Sequence, residues 1–177
     1  MSEASLAFQE SIKDAEELLA HFDAIKPPPA NAEVLKRSGL IMALTAWETY
    51  VKERAGEALK VRLHPGKDSP AVEFMTKKFD EESKRLFSPT TAKTQKLFVD
   101  FLGLDVTQSW AWNGMENAKV KKRLDELVAK RGDAAHRSRA ALKKAQTGHL
   151  VVRDDLEKAI KFLKNLVEKT DKAIEGK

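Results

Sequence analysis

The chain has 177 residues, of which 33% are charged and 42% hydrophobic, and its 32 lysines and arginines against 27 aspartates and glutamates give a formal net charge of +5. This composition favours a folded core, and the basic excess permits nucleic-acid binding without demonstrating it. The absence of cysteine excludes disulfide scaffolds, thiolate metal sites and cysteine nucleophiles. No apolar run approaches the ~18 residues that cross a bilayer, and no signal-peptide pattern opens the chain. We therefore expect a cytoplasmic protein with no membrane partner.

The first two predicted helices flank a triple proline. Apolar residues recur three and four positions apart from about Glu3 to Ile25, which is the spacing of one helical face. The prolines at positions 27–29 then forbid helix. A second helix, with Asn31 as its N-cap, is predicted to run to about Val61. It is apolar on more than one face, so we expect it to be central and packed on several sides.

Shorter predicted helices follow in the middle of the chain. A turn rich in proline and glycine precedes a helix over residues 71–86. Ser88 then reads as the cap of a short helix that has Pro89 in its first turn and ends at Gly103. Residues 104–114 are predicted to form irregular or short-turn structure.

Two longer helices complete the pattern. One begins near Glu116 and runs toward Arg131, and the last opens at Arg153 with an amphipathic stripe. No segment alternates with period two for long enough to predict a strand. The sequence thus predicts an all-α single domain over residues 1–177, with four main helices and a helical insertion at about 63–115, between the second and third of them.

The most informative cluster of ionisable residues follows the amphipathic part of the third main helix. Arg131, Asp133 and His136 lie within six positions, with small residues between them. A guanidinium can neutralise charge on a phosphorane and an imidazole can move protons near neutral pH, so the pair suits RNA cleavage. The alternative is a solvent-facing stretch of a charged helix, since arginine and histidine are common there. No cluster of metal-ligating residues stands out, and we expect neither metal nor cofactor.

Four ordered stretches resemble the HEPN superfamily, and within it the RiboL-PSP-HEPN group and related nucleases of bacterial defence systems. The family's ribonucleases carry an arginine, four to six residues and a histidine, which Arg131 and His136 match. The stretches that carry the likeness are 46–52, 88–105, 110–112 and 124–136. The resemblance implies a four-to-five-helix HEPN-like bundle.

The resemblance also implies an activity. Ribonucleases of the family cleave RNA without metal, by attack of the ribose 2′-hydroxyl, leaving a 2′,3′-cyclic phosphate. His136 would then act as general base or acid, Arg131 would hold the scissile phosphate, and Asp133 would orient either group. Glu48 would support Arg131 by pairing with it across the bundle. Such a protein would be a toxin or an antiphage defence effector, with RNA as substrate and a cognate antitoxin or neighbouring defence protein as a possible partner.

Two features of the motif leave alternatives open. The family usually has a polar residue directly after the arginine, where this chain has Gly132. The alternative function is therefore a catalytically inactive HEPN bundle that acts as an RNA- or protein-binding adaptor. In addition, residues five apart on one helix differ by about 140° in direction. Either a turn at Gly132 or a symmetric homodimer with the active site at its interface would bring Arg131 and His136 together, and the resemblance favours the dimer.

Basic residues near the motif are candidates for guiding the RNA backbone, although each also fits a solvated lysine face. The expected RNA-binding residues are Lys122, Arg123, Lys130, Arg137 and Arg139. Trp110 and Trp112 could stack bases, but packing in the core is the favoured interpretation.

Overall fold

The computed structural model describes residues 2–64, 69–136 and 151–176, and for Ala30 and His136 it describes only the backbone. The described residues form six α-helices and two short 3₁₀ turns, with an isolated bridge between Trp112 and Met115 but no strand. The α-helices are α1 (Glu3–Ala24), α2 (Glu33–Leu63), α3 (Pro70–Arg85), α4 (Thr91–Leu102), α5 (Asn117–His136) and α6 (Arg153–Glu175). The 3₁₀ turns span Ala30–Ala32 and Val106–Ser109. Helices α1, α2, α5 and α6 make the main bundle, and α3, α4 and the second 3₁₀ turn are inserted between α2 and α5, which confirms the all-α prediction with its insertion.

Local sequence explains where the inserted helices begin and end. The hydroxyl of Ser69 accepts from the Val72 amide, with Pro70 at the first helical position of α3. The hydroxyl of Thr90 caps α4 in the same way. Helix α4 stops at Gly103, whose φ of 58° is left-handed and costs glycine little.

Two local predictions are wrong, and one of the two alternatives left open for the motif does not apply. Asn31 does not cap α2: it lies in the first 3₁₀ turn, and α2 follows Ala32, which makes no side-chain cap. Pro89 is not in the first turn of α4, because the cap is Thr90 and the proline precedes it. Helix α5 does not turn at Gly132 but continues to His136.

Helix α2 is the centre of the bundle and packs on α1, α4, α5 and α6, as its many apolar faces predict. Its Trp47 and Tyr50 are almost completely buried. The ring of Trp110 meets that of Trp47 edge-on at 6.0 Å, and its Nε1 donates to Thr170 Oγ1 at 3.0 Å. Trp112 packs against Phe162. The tryptophans therefore serve the core, and the buried ring of Trp110 is not available for stacking a base.

A buried polar network ties α1, α2 and α6 together around Asp171. One carboxylate oxygen accepts from Tyr50 Oη at 2.9 Å and from Arg54 Nε at 2.8 Å, and the other accepts from the Ser5 hydroxyl. Burial and the neighbouring carboxylate raise the pKa of the Tyr50 hydroxyl well above its usual range, so it remains a donor. Arg54 also lies 3.7 Å from Glu57. Buried charges of this kind need every partner that they have.

None of the helices in the described ranges is long and apolar enough to cross a membrane.

Candidate active site

Arg131 lies on α5 and reaches the connection between α3 and α4. Its Nη1 donates to Ser88 Oγ at 2.8 Å. The residue is half-buried, and no group among the described residues accepts from its buried Nε. A guanidinium held at one nitrogen keeps further donors for an anion, since it has five N–H groups in a planar fork.

Ser88 forms hydrogen bonds with both Glu48 and Arg131, two of the predicted site residues. Its backbone amide donates to Glu48 Oε2 at 2.8 Å, while its hydroxyl accepts from Arg131. The predicted direct pairing of Glu48 with Arg131 is therefore wrong: both residues are in the described part, and Ser88 lies between them. Ser88 has a φ of 48°, in the left-handed region that non-glycine residues rarely adopt. Its two hydrogen bonds hold it in this conformation.

The rest of the α3–α4 loop, residues 86–90, is fastened to α2 and to the first turn of α4. Trp47 Nε1 donates to the carbonyl of Pro89 at 3.1 Å. Just beyond the loop, Thr91 is also anchored. Its amide donates to Asp125 Oδ1 at 2.8 Å and its hydroxyl donates to the Lys121 carbonyl at 3.0 Å, and both partners lie on α5. The loop is therefore held in place from both sides, and Arg131 is positioned by a fixed partner.

Two lysines lie around the same loop, which itself carries the exposed ring of Phe87. Glu48 Oε1 lies 2.8 Å from Lys52 Nζ, and that ammonium lies 5.4 Å from the centre of the Phe87 ring. The carbonyl of Phe87 accepts from Lys93 Nζ at 2.6 Å. Three cationic groups, Arg131, Lys52 and Lys93, thus contact this loop or its Glu48 partner.

The second half of the motif is only partly described. Gly132 lies in open space, because a Cβ built there would meet nothing within 4 Å. Asp133 is half-buried. His136 is the last residue of α5, and its side chain lies outside the described residues. Because α5 is continuous, positions 131 and 136 differ by about 140° around its axis.

The predicted RNA-binding residues have different surroundings. Lys130 Nζ bonds Asp155 Oδ2 at 2.6 Å, and this hydrogen bond holds the pKa of the Asp155 carboxyl below its usual value. Lys122 and Arg123 lie 4.0 and 3.7 Å from Glu126. Arg137 and Arg139 lie outside the described residues. A role for these side chains in RNA binding stays a prediction.

Sequence reasoning missed the contribution of the α3–α4 loop. The sequence marks Ser88 as a helix cap and carries no signal that assigns Phe87, Lys52 or Lys93 to a site. Ser88 and Arg131 are 43 positions apart, so local periodicity carries no signal for their contact. In the described part of the chain, no group of three or more histidines, aspartates and glutamates is arranged to hold a metal ion.

Comparisons with known proteins place the fold in a family. The family model described as RiboL-PSP-HEPN matches residues 8–176, almost the whole chain. Neither the comparison with curated proteins nor the one with solved structures found a match. With its helical bundle, its insertion and this match, the chain belongs to the RiboL-PSP-HEPN family.

Proposed function

We propose that the protein is a metal-independent RNA endonuclease that acts as a toxin or an antiphage defence effector. The observation that carries the proposal is the position of Arg131: its guanidinium is fixed by Ser88 Oγ at 2.8 Å, yet the residue is only half-buried. Membership of a HEPN-type family supports assigning this arginine to a scissile phosphate.

The proposed reaction needs a base, an acid and a cation. A base removes the proton of the ribose 2′-hydroxyl, whose oxygen attacks the adjacent phosphorus while the bond to the 5′-oxygen breaks. The leaving oxygen takes a proton, and the products are a 2′,3′-cyclic phosphate and a 5′-hydroxyl. His136 would carry one of these protons, and Arg131 would stabilise the charge on the phosphorane. Asp133 would orient either group.

The continuous α5 supports a dimeric site. Because α5 runs through Gly132 without a turn, positions 131 and 136 of one chain lie on different sides of one helix. In the proposed homodimer, each cleft would receive Arg131 from one copy and His136 from the other, or both histidines, which would supply a base and an acid. A two-fold axis permits this because each copy presents the same patch.

RNA cleavage in EDTA tests the proposal. We expect the wild type to leave 2′,3′-cyclic phosphate ends, and Arg131→Ala to lower kcat by about 10²–10³. His136→Ala should lower it by about 10²–10⁴. Matched controls are His21→Ala, an exposed histidine on α1, and Lys161→Ala, whose side chain is 72% exposed on α6. Cleavage that persists unchanged in both motif variants would overturn the mechanism.

A catalytically inactive adaptor is the second candidate, and Gly132 is the observation that favours it. The family position after the arginine usually carries a polar side chain, and here it carries none. The adaptor predicts that the wild type cleaves no RNA but still binds RNA or a protein partner. Gain of cleavage in Gly132→Asn would then show that the missing polar group is the cause.

A further inference from the structure

We propose that the α3–α4 loop carries a single-nucleotide subsite, in which the ring of Phe87 stacks on an RNA base beside the phosphate held by Arg131. The identity of the ligand as RNA rests on the function proposed above. The subsite itself is argued from the exposure, the anchoring and the charges of the loop.

Phe87 is exposed although its neighbours are not. Phe87 is 62% exposed, whereas Leu86 and Ser88 are half-buried and Pro89 is buried. Single exposed apolar residues are common, so exposure alone means little. Here, however, the peptide unit that joins Phe87 to Ser88 is fixed at its carbonyl by Lys93 and at its amide by Glu48. On the other side of Phe87, the Leu86 amide donates to the Ser83 carbonyl at 3.2 Å. The loop presents the ring to solvent in a defined place.

The ring also lies close to the proposed chemistry. Ser88, the direct partner of Arg131, is the next residue after Phe87, and consecutive Cα atoms are about 3.8 Å apart. Contacts therefore run from Arg131 through Ser88, Glu48 and Lys52 back to the Phe87 ring. In the proposed subsite, a nucleotide whose phosphate meets Arg131 would place its base on this ring.

The charges around the ring fit a nucleotide better than a protein surface. The ammonium of Lys52 lies 5.4 Å from the ring centre, and Lys93 bonds the carbonyl of the same residue. The Lys52 ammonium lies over the ring, so a flat base would stack on the opposite face, with its anionic phosphate beside the cations. A protein-docking surface would instead need a contiguous apolar patch of several hundred Å². Stacking is tolerant of base identity, so we expect the subsite to order a single strand without strong base preference.

Binding of a single-stranded RNA oligonucleotide, measured by fluorescence anisotropy in EDTA with the His136→Ala protein, tests the subsite. We expect Phe87→Ala to weaken binding by about tenfold and Phe87→Trp to restore it. The matched control is Phe74→Ala on α3, because Phe74 is also 62% exposed. An oligonucleotide containing 2-aminopurine should lose fluorescence on binding wherever the aromatic ring is present, and keep it with Phe87→Ala.

The outcomes separate the two proposals. Equal RNA affinity of Phe87→Ala and Phe74→Ala would overturn the subsite, and would leave a protein contact as the use of the ring even if the wild type cleaves RNA. Dependence of binding and of 2-aminopurine quenching on Phe87 would support the subsite even if the wild type proves unable to cleave, in which case the nuclease proposal alone fails.

Discussion

Replacing Asp171 by alanine should destabilise the protein strongly without touching the candidate site. The change removes the carboxylate that accepts from Tyr50, Arg54 and Ser5. Arg54 is only 7% exposed, and its remaining carboxylate neighbour, Glu57, is 3.7 Å away. Removing one partner of a buried ion pair costs about 3–5 kcal/mol. Because Glu57 remains and Tyr50 can still donate to the Val167 carbonyl, we expect the lower end, about 3 kcal/mol.

Urea and thermal unfolding measure this loss. For a domain of this size, about 3 kcal/mol corresponds to a fall in Tm of about 6–12 °C. Glu168→Ala, three residues earlier on α6, is the control, because it breaks only an exposed pair with Lys172 and should cost about 0–0.5 kcal/mol. Replacing both Arg54 and Asp171 by leucine should cost less than the sum of the two single changes. A loss below about 1 kcal/mol for Asp171→Ala would show that Arg54 does not depend on the network.

Two glycines should respond to alanine with opposite signs, although neither has a neighbour within 4 Å of a Cβ. Gly132→Ala lies within α5 and should raise the free energy of unfolding by about 0.5–1 kcal/mol, because alanine has the higher helix propensity. Gly103→Ala lies at a φ of 58° and should lower the free energy of unfolding by about 1–2 kcal/mol, because of backbone strain. The urea midpoints of the two variants and the wild type measure these changes. The third prediction concerns acid stability, because Lys130 holds the pKa of Asp155 below its ordinary value of 3.8. A carboxyl with a lowered folded pKa adds stability above its unfolded pKa and loses it as the pH falls through the folded one. The stability advantage of the wild type over Asp155→Asn should therefore shrink below about pH 4 in urea titrations at a series of pH values, and an advantage that does not change with pH would contradict this assignment.

Much of the fold could be predicted because helix signals are local. The apolar stripe of α6 is buried at Ile160, Leu163 and Leu166, as its spacing requires, and Gly103 ends α4 where the sequence places the stop. The continuation of α5 past Gly132 could not be read in this way. A glycine inside a helix costs only about 1 kcal/mol, and the buried Ala134 adds packing beyond it. Tertiary contact thus outweighs a weak local break.

In the candidate site, too, the sequence marks individual residues but not the long-range contacts between them. Arg131 and Glu48 could be named because a motif and a resemblance mark them. Their connection through Ser88 could not, because it joins segments that are 40 and 43 positions apart and requires a backbone conformation that serine rarely takes. Long-range hydrogen bonds of this kind leave no periodic trace in a sequence.

The insertion between α2 and α5 cannot be removed to leave a minimal four-helix bundle that keeps the candidate site. Excising it would uncover Trp47, strip Thr170 of its indole partner and leave the guanidinium of Arg131 without the serine that aims it. Any effort to shorten this scaffold, or to graft its motif onto a plain bundle, therefore has to carry the inserted segment along with it.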